Sequence, residues 1–396
     1  VSLATDPDGT RAGRLACLCP PLGAAGRAGG ETLAGTVALI AGAGFACLAQ
    51  VLVYGTLPLA GALLSRDAVT AALPMAVCLG GAVLASLPGA WLFDAFGRRA
   101  ALATGASLGA AGGTTVAVGL IALSLPVVLV GAFWLGVAQG FAMLYRHAAA
   151  AGAGGVDRRR QVAAVLGVGV LAGVAGPALA TFAEGLAEPF TLVGAALAAA
   201  LASVASLTAA LAMPAMTRQM PAAPASGRVA AAVSGAEPAA IEPSSRRAER
   251  GRFLAATAVG AAAWAAMAAT MTHAPMALVD CGVTAAATYG LVAWHVVAMY
   301  APAAAIGLFG IAVAPRLAAG AGLAVVAAAL AATLLPDPVV GQTVALVMVG
   351  AGWSLATWGA TLVLHDGASP RRTSLALHDG ALLSAALVGA LFGGLL

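Results

Sequence analysis

"WLFDAFGRRAAL", residues 91–102, places an acid, a glycine and two arginines inside a chain that is otherwise Ala, Gly, Leu and Val for long stretches on either side. The 396-residue chain is 61% hydrophobic and 9% charged, whereas a soluble domain carries about 25% charged residues. Lipid is therefore the expected solvent. All 19 basic residues are Arg, a compositional bias with no functional content. The net charge of +4 does not point to nucleic acid, because the arginines are dispersed between apolar runs instead of forming one basic surface.

The cysteines are Cys17, Cys19, Cys47, Cys78 and Cys281. None belongs to a CxxC or Cys/His cluster with metal spacing, so free thiols are expected, with no metal and no cofactor. The tail "RLACLCPPL" (14–22) has too short an apolar part for a signal peptide.

An apolar run of about 20 residues spans a bilayer core. Such runs fall at 33–57, 68–95, 100–122, 125–146, 161–183, 189–213, 253–279, 285–313, 317–335, 338–364 and 373–396. An all-α polytopic membrane protein of eleven transmembrane helices is predicted. With a cytoplasmic N-terminus, every arginine except Arg66 falls in an inner segment (19 − 1 = 18), as the positive-inside rule requires. A bacterial inner-membrane location follows as an expectation.

The longest polar segment, 214–252, is rich in Pro, Ala, Ser, Glu and Arg and reads as a cytoplasmic linker. It separates six spans (33–213) from five (253–396), with residues 1–32 as a cytoplasmic tail. The halves correspond: Arg99 and Arg316 are offset by 316 − 99 = 217, Arg159 and Arg371 by 371 − 159 = 212, and Pro126 and Pro338 also by 338 − 126 = 212. Parallel repeats of this kind are a secondary-transporter architecture.

The opening stretch then lies at the inner end of the second span. Gly97 permits a tight turn, and Arg98 and Arg99 remain at the interface. Asp94 sits one turn deeper, where an unpaired carboxylate is costly. It is expected to act as a latch by pairing with the helix N-terminus near Arg371–Thr373 or with the arginines of its own loop.

Ala90, Asp94, Gly97, Arg98, Arg99 and Leu102 together resemble the signature between the second and third helices of the major facilitator superfamily (MFS). Gln139, Gly140 and Ala142 resemble the end of its fourth-helix motif, although Gly136 stands where that motif has Arg. Ala172, Gly176, Pro177 and Ala180 partly resemble a fifth-helix motif common in exporters. In the second half, "GLFGIAVAPRL" (307–317) keeps Gly307 and Arg316 but lacks the acid. "AMLYRHAAAAGA" (142–153) and "AWHVVAMYAPAAAIG" (293–307) are similar to an uncharacterised bacterial subgroup.

The resemblance implies an MFS fold of two parallel six-helix repeats, and here the twelfth helix is missing. It also implies a gate at Asp94, Gly97, Arg98 and Arg99. The implied cavity is lined by Gln50 and Tyr54, Gln139, Trp264 and His273, and Trp353, Ser354 and Trp358. Tyr145 and Arg146 lie near the inner end of the fourth helix. The aromatic residues suggest a planar or amphipathic organic solute. Few groups could carry a coupled proton: Asp379, His295 and His378 are the candidates, since burial raises a carboxyl value and lowers an imidazole value. Bonding to a neighbouring helix is the plain alternative for each. Gly105, Gly109 and Gly113 form a small-residue packing stripe. No catalytic triad or phosphate loop is present, so the chain is read as a non-enzyme. It is expected to be a monomeric secondary transporter with bilayer, solute and protons as partners. The alternative reading is a truncated or decayed paralogue that acts as a membrane partner protein.

Overall fold

A computed structural model describes residues 32–152, 155–214, 243–366 and 370–393. Cys17, Cys19, almost all of the predicted tail and most of the predicted linker lie outside the described residues. Among these residues ten helices are long and apolar enough to cross a membrane, and one of them is double. The eleven resulting spans are α1 (Leu33–Leu64), α2 (68–96), α3 (98–121), α4 (Leu125–Ala151), α5 (Asp157–Leu186), α6 (Val193–Ala212), α7 (Pro243–Asp280), α8 (Ala285–Phe309), α9 (Pro315–Ala332), α10 (Pro338–Leu364) and α11 (Arg372–Gly393).

Capping residues fix several helix starts. The side chains of Thr32, Asp67, Thr284 and Asp337 accept from the amides of Gly35, Thr70, Ala287 and Val339, which satisfies orphan N–H groups of the first turn. Pro126 and Pro338 occupy the first turns of α4 and α10, where no donor is needed.

The α2–α3 connection is shorter than the sequence spacing suggests. The helix is interrupted only at Gly97, whose φ of 84° and ψ of 171° reverse the chain within one residue. Gly310, at the end of α8, also has positive φ (63°) and lies 310 − 97 = 213 residues later. The second half therefore has a positive-φ glycine at the corresponding place, without an acid beside it. α7 begins at Pro243, so the last part of the predicted linker is helical. "PSSRRAERGR" opens with Pro, which suits a first helical turn, and carries four Arg, a residue that favours helix.

Close approach of small residues holds the bundles together. A Cβ on Gly136 of α4 would sit 1.8 Å from the Cys78 carbonyl of α2, and one on Gly105 would sit 2.3 Å from Phe141 Cβ. Gly109 and Gly113 approach Ser203 and Ala200 of α6 in the same manner, as the packing stripe predicts. In the second half, Gly322 faces Gly352 and Ala356, and Gly389 faces Ala265. Large apolar side chains such as Leu84, Leu171, Leu201, Leu317 and Phe392 point outward, forming the lipid-facing belt expected of such a fold.

The halves meet along two seams, α2 against α11 and α5 against α8, and α10 also reaches α4 and α5. Gly380 contacts Ser86 across the first seam. Gly167, Gly169 and Gly173 meet Ala304, Tyr300 and Val296 across the second. These contacts run from mid-helix toward the end that carries Arg98, Arg158, Arg316 and Arg371, here termed the basic face.

Candidate functional site at the seam between the halves

Two polar layers occupy the seam. The layer nearer the basic face centres on Asp379, which is 3% exposed. The buried residues of α11 include Leu375, Asp379, Leu382 and Ala386, spaced by three or four, so Asp379 belongs to the inward stripe. Seven residues past Arg372 (379 − 372 = 7), it lies about 10 Å into the helix. Its carboxylate accepts from Arg146 Nη2 and from His147 Nε2, the latter at 3.0 and 3.1 Å to the two oxygens. Both partners come from the end of α4, in the other half. His147 Nδ1 is 3.0 Å from Nε2 of His365, the residue that ends α10. Because His147 Nε2–H faces the carboxylate, one proton shared between Nδ1 and Nε2 suffices for this contact.

Two further bonds cross the seam beside this relay. Arg158 Nη1 of α5 donates to the His365 carbonyl at 2.9 Å, and Trp358 Nε1 of α10 donates to the Arg159 carbonyl at 3.2 Å. Burial, and then His147 and Arg158, push the His365 imidazole down to about 2. His378, about 100° around the helix from Asp379, sets its ring edge-on to that of His147, with centroids 6.2 Å apart. It is fully buried, with Nδ1 3.0 Å from Thr257 Oγ1 of α7, in its own half.

The second layer lies deeper. Trp353 is 364 − 353 = 11 residues from the end of α10, or about 16 Å along the axis. Its ring packs edge-on against Trp264 of α7 (5.2 Å) and Tyr300 of α8 (5.9 Å). Ala82 of α2 and Met143 of α4 close over this cluster from the other half. Opposite, Tyr54 Oη of α1 accepts from Gln50 Nε2 at 3.1 Å and from Gln139 Nε2 of α4. Tyr54 and Cys47 on α1 lie close enough to Tyr300 for electrostatic interaction. The indole N–H groups of Trp264 and Trp353 are buried without a hydrogen-bond acceptor among the described residues. A cavity of about 40 Å³, lined in part by Gln50, Gln139, Tyr145 and Ser206, sits inside the first bundle instead of at the seam.

Gln50, Tyr54 and Gln139 come together, as do Trp264 and Trp353. Trp358 does not line the deeper layer: it is fully buried and clamps α10 to α5. Asp94 does not form the predicted latch. It is exposed and has no ion pair or hydrogen bond among the described residues. On α2 the residues turned to the second half are Ala82, Ser86 and Ala90, whereas Asp94, one turn further toward the basic face, is exposed. In the same turn Gly97 supplies the bend, Arg98 is buried at 6% and Arg99 is exposed. His295 is sealed within the second half, with Nδ1 against the Leu346 carbonyl of α10. His147, His365 and Tyr300 were not singled out from sequence. A basic residue next to a histidine in an alanine-rich segment was the available signal for His147.

No family model matches the chain. The riboflavin transporter RfnT of Brucella anthropi is 28% identical over 316 residues, covering 79% of this chain and 75% of the relative. The solved structure of the MFS proton:xylose symporter XylE matches with a TM-score of 0.67 at 15% identity, over 90% of this chain and 87% of that one. The human organic anion transporter MFSD10 matches with a TM-score of 0.62 at 17% identity, over 91% and 92% of the two chains.

Proposed function

We propose that this chain, an all-helical membrane protein with the major facilitator superfamily fold, is a secondary transporter that moves a planar heteroaromatic solute of the flavin class by alternating access. The observation that carries the reading is the deeper seam layer, where an aromatic cluster from one half faces a tyrosine–amide group from the other. Trp264, Trp353 and Tyr300 offer ring surfaces, and aromatic pairing contributes about 0.5–1.5 kcal/mol beyond burial. Gln50, Gln139 and Tyr54 offer donors and acceptors suited to the polar edge of such a ring. The riboflavin transport named for the relative supports this substrate class.

The relay around Asp379 is the basic-side gate in this account. It holds the halves together while the solute site is reached from the opposite face. Separation of Asp379 from Arg146 and His147 opens the basic face. We place that face in the cytoplasm, from the distribution of arginines. Energy comes from a proton gradient, a reading that the named proton symport of XylE supports. An intact buried relay between the halves favours transport over the alternative of a membrane partner protein.

The test is growth of a riboflavin-requiring bacterium, without an importer of its own, on limiting riboflavin. Expression of this chain is expected to restore growth, and Trp353→Ala to abolish it at equal membrane abundance. No rescue by a well-inserted chain would overturn the substrate assignment.

A further inference from the structure

We infer that His365 makes the basic-side seam acid-sensitive: a proton arriving from the basic face is taken up there only as the seam opens, so acidification of that face drives opening. The groups facing one another are Arg146 and His147 from α4, Arg158 from α5, His365 at the end of α10, and His378 and Asp379 from α11. Thr257 of α7 is uncharged. Asp379, the carboxylate of this group, is already occupied by Arg146 and His147.

A proton added to His365 would place an imidazolium 3.0 Å from the His147 ring nitrogen and beside the Arg158 guanidinium, in a site 4% exposed. Asp379, the carboxylate near the ring, is already bonded to Arg146 and His147 and so balances that charge only in part. Burying an unpaired cation is costly, so the closed seam keeps His365 neutral. On opening, water reaches the ring and its ordinary affinity for protons returns. The sign follows from linkage. A base whose value is depressed in the closed state leaves that state unpenalised above its ordinary value, and penalises it increasingly as pH falls below. The inference deepens the proposed gate and rests on transport only for its physiological use.

The experiment measures seam opening without solute. Spin labels are placed at Arg99→Cys and Thr373→Cys, both exposed, in the full chain with its native cysteines replaced by alanine. Distances are then read in nanodiscs between about pH 7.5 and about pH 5.5. With His365 near 2 when closed and about 6.5 when open, the ratio of long to short distances should rise about tenfold over that interval. His365→Gln should remove that rise while remaining closed and monodisperse; His365→Asn carries the same expectation if the glutamine variant does not fold. A pH-independent ratio in the parent, or the same rise in the folded variant, would overturn the inference. A chain that opens with acid but carries no solute would keep it and remove the transport reading. A chain that transports but has a pH-indifferent seam would do the opposite.

Discussion

Replacing Asp379 with asparagine should shift the chain away from its basic-side-closed state by on the order of a hundredfold. The carboxylate holds two groups from the other half, Arg146 and His147, in a site only 3–4% exposed. Removing one partner of a buried ion pair costs about 3–5 kcal/mol, because the remaining charge is left buried without compensation. Asparagine keeps one acceptor, so the lower end applies, and about 3 kcal/mol corresponds to a factor of about 150. The cost falls on the closed state alone, since Arg146 regains water on opening. The same label pair at positions 99 and 373 reads the effect: the short distance should give way to the long one at neutral pH. Arg146→Leu combined with Asp379→Leu should recover much of the closure, because apolar replacement of a whole buried pair is often neutral or stabilising. An unchanged distance distribution in Asp379→Asn, in a monodisperse sample, would refute the assignment of this residue as the gate.

Other substitutions separate the layers. Asp94→Asn should leave the distance distribution unchanged, because Asp94 is exposed and lies outside the seam; a loss of closure would restore it as a latch. Trp358→Phe keeps the buried ring but loses the bond to the Arg159 carbonyl, and should lower the closed population about fivefold, for a net contribution of about 1 kcal/mol per hydrogen bond. Tyr54→Phe removes the oxygen shared by Gln50 and Gln139; it should raise the KM for solute several-fold while leaving pH-dependent opening intact. Gly136→Val should prevent accumulation of folded protein, since even a Cβ would meet the Cys78 carbonyl at 1.8 Å; normal yield would contradict the α2–α4 packing described above.

The spans were legible because each is an unbroken apolar run between polar breaks, and their ends were legible through Pro126, Pro338, Asp337 and Gly97. The seam was less so. Around α2 almost every direction is apolar, since one side meets lipid and the other meets Ala- and Gly-rich helices. No amphipathic pattern therefore marks the inward face, and Asp94 could not be assigned to a side from its position alone. The helix turns Ser86 and Ala90 inward and leaves Asp94 exposed. For Asp379 the depth was readable by counting from Arg372, and its cost in lipid required a partner. That partner lies 379 − 146 = 233 residues away, and only packing of α4 against the second half identifies it. The same separation hid His365, which as a residue between a helix end and Asp366 carries no local sign of burial. Gln50 with Tyr54 was the easier case, because a spacing of four places both on one helix face.

The most direct test of the account is flux of radiolabelled riboflavin into liposomes that contain the purified full-length chain, with an inward proton gradient imposed. The account predicts time-dependent accumulation above that in empty liposomes, abolished by collapse of the gradient and by Trp353→Ala. No uptake, and no exchange against riboflavin loaded inside, by a chain that is monodisperse and correctly inserted would contradict it.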